Sequence, residues 1–174
     1  DGDGLNDNLD KWPTKAQYKT DADNDNLPDA WETQYGLCTS CPGDATVDMD
    51  GDTLTNLQEF ALGTNPNNPN TDSDSQPDNI DKWPTNATYA MDSDNDGLPD
   101  QWEWDNGFDP NNASGANDLM LGDTDRLSPL QEFKLGTNPT QNDTDMDGTD
   151  DRHDFYPLVA HVDDEDLDFD GIPR

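Results

Sequence analysis

Residues 21–32 read D-A-D-N-D-N-L-P-D-A-W-E, and residues 92–103 read D-S-D-N-D-G-L-P-D-Q-W-E. Both stretches place acids at positions 1, 3, 5, 9 and 12 of a twelve-residue frame. This is the ligand spacing of an EF-hand-type calcium loop, in which position 7 adds a backbone carbonyl and position 12 a bidentate carboxylate. Calcium is a hard ion that gathers six to eight oxygens at about 2.3–2.6 Å, so the chain must curl tightly to converge short carboxylates on one point. The candidate ligands are Asp21, Asp23, Asp25, Leu27, Asp29 and Glu32 in the first loop, and Asp92, Asp94, Asp96, Leu98, Asp100 and Glu103 in the second. Gly97 occupies the sharply turned position 6, and Asn26 takes the same place in the first loop, as Asn tolerates left-handed backbone.

The frame recurs along the chain. Loop 48–59 offers Asp48, Asp50, Asp52, Leu54, Asn56 and Glu59, and loop 70–81 offers Asn70, Asp72, Asp74, Gln76, Asp78 and Asp81. Loop 143–154 offers Asp143, Asp145, Asp147, Thr149, Asp151 and Asp154, with Gly148 at position 6. Loop 121–132 is degenerate: Asp123, Asp125, Leu127 and Glu132 remain, but Leu121 stands at position 1 and Pro129 at position 9. It is expected to be the weakest site, with Asp118 a candidate to fold in from the preceding insertion. Two partial loops lie at the ends. Asp1, Asp3, Leu5, Asp7 and Asp10 fit the later positions of a frame in 1–10, and Asp166, Asp168 and Asp170 fit positions 1, 3 and 5 in 166–174. Of the 41 acids, 33 fall on ligand positions. Plain Asp enrichment would also scatter acids onto positions 2, 4 and 6, so the frame is not a by-product of composition.

The composition agrees with a metal-built chain. Among 174 residues, 29% are hydrophobic and the formal net charge is -33, from 41 acids against 8 Lys plus Arg. Such a balance usually marks disorder, because too little apolar surface is buried to offset ordering entropy. Five Trp, five Phe and four Tyr argue against a purely solvating tail. The acidity excludes nucleic acid as a direct partner, and no apolar run approaches a membrane span. A divalent cation is the natural counter-charge, and about six to eight Ca²⁺ are expected as the only cofactor.

These loops set the organisation of the rest. The frame starting at 21 returns at 92, that at 48 at 121 and that at 70 at 143. Between loops, D-K-W-P-T-K-A-Q-Y (10–18) returns as D-K-W-P-T-N-A-T-Y (81–89), and L-Q-E-F-A-L-G-T-N-P (57–66) as L-Q-E-F-K-L-G-T-N-P (130–139). Four short helices are expected on leaving the loops, over about 28–35, 55–62, 99–105 and 128–135. Gly36, Gly63, Gly107 and Gly136 stand where a left-handed C′ residue is wanted. No entering helix precedes a loop, so paired EF-hands are not expected. Matching insertions fill 33–47 and 104–120, and the first carries Cys38 and Cys41 as C-x-x-C in a loop. That setting favours a local disulfide over a free thiol pair, and both over a redox dithiol. Trp31 and Trp102, at position 11, are expected to pack in small cores rather than to form a ligand surface.

The stretch D-G-D-G-L-N-D-N-L-D-K-W-P followed by D-A-D-N-D-N-L-P-D-A-W-E resembles thrombospondin type 3 repeats. The resemblance covers essentially the whole chain. It implies a backbone wrapped around a line of Ca²⁺ ions, with the loop positions above as ligands. The animal repeats carry Cys at position 11 and before the linker Pro. Here those places hold Leu9, Trp31, Ile80, Trp102 and His153, and Trp12, Trp83 and Tyr156, so apolar packing is expected to replace the disulfides. The L-Q-E-F-x-L-G-T-N-P segments resemble the cysteine-poor version in bacterial surface and secreted proteins.

The expected fold is therefore a mostly irregular, calcium-stabilised repeat array of EF-hand-like loops over 1–174, with a few short helices and a solenoid-like logic. The expected role is an extracellular, secreted or cell-surface structural segment: a calcium-rigidified spacer, stalk or filament-forming unit. The chain starts and ends inside a loop frame, which leads us to expect head-to-tail self-assembly or continuation into a longer chain. A calcium-dependent adhesion module, binding glycan or protein through exposed Trp, is the alternative. No enzyme is expected, since the clustered acids are already spoken for by metal and no nucleophile–base constellation is evident. Sequons stand at Asn86, Asn112 and Asn142.

Overall fold

A computed structural model describes residues 11–160, and within them the chain is mostly turns and bends, with four helices of seven residues each and no strand. The helices are α1 (Asp29–Tyr35), α2 (Asn56–Leu62), α3 (Asp100–Asn106) and α4 (Pro129–Leu135), with one turn of 3-10 helix at Asp44–Thr46. The helices lie where the sequence places them. Two turns of helix are marginal on their own, so each is held at both ends. All four stop at a left-handed glycine, Gly36, Gly63, Gly107 and Gly136. Entry differs: α2 and α4 begin with capping boxes, Thr55 with Gln58 and Ser128 with Gln131. In α1 and α3 the N-cap residue is a proline, Pro28 or Pro99, with extended backbone and no side-chain cap.

The chain divides into two units, Asp1–Ala90 and Met91–Arg174. In the first, Leu27, Trp31 and Ala45 form a small core to which Tyr18, Tyr35, Leu37, Leu57 and Phe60 add partly buried surface. Phe60 is its hub: the rings of Trp12, Tyr18 and Trp31 meet it edge-on at 6.1, 5.4 and 5.5 Å. Edge-to-face pairs of this kind add to simple burial. In the second unit, Leu98, Trp102 and Ala116 are buried at the corresponding places. Trp102 stacks on Phe108 at 5.6 Å and meets Phe133 edge-on at 5.5 Å. Both position-11 tryptophans thus pack inside, as expected.

No helix among the described residues is long and apolar enough to cross a membrane. The partial loops, with Asp1, Asp3, Leu5, Asp7, Asp10, Asp166, Asp168 and Asp170, lie outside the described residues.

Candidate metal centres

The loops are built by their own aspartates. At position 3 one carboxylate oxygen accepts the N–H of position 5: Asp23 from Asp25, Asp50 from Asp52, Asp72 from Asp74, Asp94 from Asp96, Asp123 from Asp125 and Asp145 from Asp147, all at 3.0–3.3 Å. Position 5 repeats the device one step on. Asp25, Asp52, Asp74, Asp96, Asp125 and Asp147 accept from Leu27, Leu54, Gln76, Leu98, Leu127 and Thr149 at 2.6–2.9 Å. Such side-chain-to-backbone bonds mimic a turn, and their succession curls the chain. The second oxygens of Asp23, Asp25, Asp50, Asp52, Asp72, Asp74, Asp94, Asp123, Asp125 and Asp145 are buried and have no hydrogen-bond partner.

Position 1 fastens the start of the curl. Asp21 accepts from Asn24 and Asn26, Asp48 from Gly51 and Thr53, and Asp143 from Met146 and Gly148, at 2.7–3.1 Å. Asp92 accepts from Gly97 at 3.0 Å. These bonds hold position 6 left-handed, at Asn26, Thr53, Gly97 and Gly148. The bonds to Asn24, Gly51 and Met146 also hold position 4 left-handed, a conformation that Asn95 shares and that the residue type at Met146 does not announce. Asn70 has only one carboxamide oxygen, given to Ser73, and its Nδ2 donates to the Asp74 carbonyl. Asp21 also pairs with Lys11.

Position 9 closes the loop. The N–H groups of Asp29, Asn56, Asp78, Asp100 and Asp151 donate to the carbonyls of Thr20, Val47, Pro69, Met91 and Asn142, each just before position 1. The carboxylates of Asp78, Asp100 and Asp151 each accept both the N–H and the hydroxyl of position 2, from Thr71, Ser93 and Thr144. Asp29 accepts the Ala22 N–H. The carboxylates of Asp29, Asp78, Asp100 and Asp151 thus serve as clasps, whereas the Asn56 Oδ1 is buried without a hydrogen-bond partner. Loop 121–132 has no such N–H, because Pro129 stands there. It is pinned instead by Asn142, whose amide exchanges two bonds with Thr124, and by Leu130 N–H on the Ala116 carbonyl. Asp118 does not fold in. It is exposed and accepts from Met120.

A position-12 glutamate adds its carboxylate to the group in two of these loops, Glu32 beside Asp23 and Asp25 and Glu132 beside Asp123 and Asp125. Glu59 and Glu103 stand outside the groups Asp48, Asp50, Asp52 and Asp92, Asp94, Asp96. Because Cα–Cβ bonds tilt toward a helix N-terminus, a glutamate in the first turn reaches back over the loop. Glu32, Glu59, Glu103 and Glu132 are all buried, and each has at least one oxygen without a hydrogen-bond partner. Burial, reinforced by the loop carboxylates, pushes Glu32 and Glu103 up to about 7 and Glu59 and Glu132 up to about 8. For Glu59 those neighbours include Asp78 and for Glu132 Asp151, each from the following loop.

Oxygens within 4.8 Å of one another come from Asp48, Asp50 and Asp52; from Asp72, Asp74 and Asp81; from Asp92, Asp94 and Asp96; and from Asp123, Asp125 and Glu132. That span suits opposite ligands of one calcium-sized ion. The degenerate loop therefore gathers its surviving acids. In loop 21–32 the group is Asp23, Asp25, Glu32 and Asp44. Asp44 lies outside every twelve-residue frame, so spacing gives no hint of it. It is delivered by the 33–47 insertion, where Cys38 and Cys41 form a disulfide. One Asp44 oxygen accepts the Cys38 N–H at 2.9 Å, and the other is buried without a partner. Its carbonyl is held by Asn56 Nδ2 at 2.9 Å.

Comparison of the chain with protein-family models, curated proteins and solved structures gives no match in any of the three.

Proposed function

We propose that this chain is an extracellular calcium-binding structural segment, held folded by about six to eight Ca²⁺ ions and acting as a calcium-rigidified spacer, stalk or filament-forming unit. The observation that carries the reading is the repeated pairing of tasks within each loop. In Asp23, Asp25, Asp50, Asp52, Asp72, Asp74, Asp94, Asp123, Asp125 and Asp145 one oxygen builds the turn, while the other is buried facing like charges with no hydrogen-bond donor to meet it. A buried carboxylate without a partner costs several kcal/mol, and the same arrangement recurs loop after loop. A cation at each centre removes that cost. The donors are all carboxylates, with no His or Cys in the groups described, which suits a hard ion. The many converging oxygens favour Ca²⁺ over the smaller, strictly octahedral Mg²⁺. The Cys38–Cys41 disulfide supports an oxidising, extracellular setting. Likeness to the cysteine-poor form of thrombospondin type 3 repeats belongs to the same reading, as does head-to-tail self-assembly.

Isothermal titration tests it. Calcium should bind at several sites per chain with Kd on the order of 10⁻⁵ to 10⁻³ M, as in extracellular modules, and Mg²⁺ should compete poorly. Nanomolar sites answering equally to Mg²⁺ would instead indicate an intracellular buffer. The adhesion reading has one observation in its favour, the 61% exposed ring of Trp104.

A further inference from the structure

We propose that the centre at 92–103 keeps one coordination position open into a cavity of about 200 Å³, which takes water or a small exogenous carboxylate, whereas its counterpart at 21–32 is closed by Asp44. This rests on the reading of the loops as metal centres and adds a difference in kind between two of them.

The two insertions fold alike over their first part, so their residues correspond one to one as far as Ala45 and Ala116. Leu37 N–H donates to the Glu32 carbonyl and Phe108 N–H to the Glu103 carbonyl, both at 2.8 Å. Cys41 N–H meets the Cys38 carbonyl as Asn112 N–H meets that of Asp109, both at 3.0 Å. Asp44 N–H meets the Cys41 carbonyl as Gly115 N–H meets that of Asn112, both at 3.1 Å. Each next residue is a buried alanine, Ala45 or Ala116. Gly115 therefore stands where the first unit has its carboxylate.

A cavity lies beside that missing side chain. Gly115 lines it together with Glu103, Asp109, Phe108, Leu121 and Pro129, and Asp109 is exposed with one oxygen accepting the Asn111 N–H. Glu103 is 2% exposed, and its Oε2 has no hydrogen-bond partner while the residue faces this space. Leu121, the apolar residue at position 1 of the degenerate loop, forms part of the wall, so nothing from that loop's first position replaces Asp44. A water needs about 30 Å³, so the volume exceeds one water and admits a small organic anion. The first unit indicates the chemistry, since a carboxylate fills the equivalent position there. An ion short of protein oxygens completes its six to eight ligands from solvent.

The test counts waters on europium(III), which replaces calcium at oxygen sites and whose luminescence lifetimes in H₂O and D₂O report bound water. Gly115→Asp should remove about one metal-bound water per chain and Asp44→Gly should add about one. The first change is sterically open: a Cβ at Gly115 meets Leu121 Cδ2 at 3.3 Å, the end of a flexible side chain, and the Asn112 carbonyl oxygen at 3.6 Å. Gly115→Ala fills the same space without an oxygen and should keep the wild-type count. Acetate should displace about one water from the wild type and none from Gly115→Asp. An unchanged count in Gly115→Asp with europium bound would overturn the open position, and acetate without effect on the wild type would overturn the carboxylate as its ligand. Failure of europium to bind at all would overturn the metal reading itself.

Discussion

A loop aspartate at position 3 or 5 divides its two oxygens between building the turn and facing the centre, and a position-12 glutamate is left with almost nothing but the centre. The consequence is a proton-dependent fold. Burial and neighbouring carboxylates hold Glu59 and Glu132 at about 8, against an ordinary value of 4.5. Without metal, the folded chain binds more protons than the unfolded chain between those values. What these two groups contribute to the metal-free fold is then fully present below pH 4.5 and is lost as pH rises through about 8. A cation must displace the same protons, so calcium affinity should rise across that window. Calcium titrations should show tighter binding at pH 8 than at pH 5, and Glu59→Gln with Glu132→Gln should flatten the difference. Equal affinity at the two pH values would count against buried glutamates at these centres.

At the scale of loops and helices, backbone conformation carries as much information as side-chain oxygens. Gly122, at φ +101, lies so close to the next linker that a Cβ would stand 2.3 Å from the Pro139 carbonyl oxygen. Gly122→Ala should therefore cost roughly 3 kcal/mol, because backbone rather than a flexible side chain must move. Gly51 is also left-handed but has nothing within 4 Å of its would-be Cβ. Gly51→Ala should cost about 1 kcal/mol, the backbone preference alone. Thermal melts in saturating calcium would compare them, and equal losses would contradict the close approach. Much at this scale was legible beforehand. The four helix ends were marked by glycines in the left-handed region, and the loop frames by the acid spacing. Left-handed Met146 and Ser73 were not legible, because neither residue type favours that region and only the bonds to Asp143 and Asn70 hold them there. Asp44 was hidden for a related reason. It enters from an insertion, placed by contacts to Cys38, Cys41 and Asn56 that no local periodicity records. The position-9 acids were legible as members of the frame, but their use as clasps depends on the hydroxyls of Thr71, Ser93 and Thr144 at position 2.

Across the whole molecule, a small apolar core is set against a large charge. The buried hydrophobic residues described are Leu27, Trp31, Ala45, Leu98, Trp102 and Ala116, while the chain's formal net charge is -33. A few side chains at about 1.5–3 kcal/mol each cannot offset the ordering entropy of a chain this long, at roughly 1–2 kcal/mol per residue, together with its self-repulsion. Bound ions supply both the missing attraction and the counter-charge, about +12 to +16 for six to eight Ca²⁺. The most direct measurement is circular dichroism and tryptophan fluorescence of the whole chain in calcium, then in excess chelator, at constant ionic strength. Chelation should abolish the helical signal and shift the emission of the buried Trp31 and Trp102 to the red, with both restored when calcium is added back. Spectra that stay the same in chelator would contradict a fold built on metal.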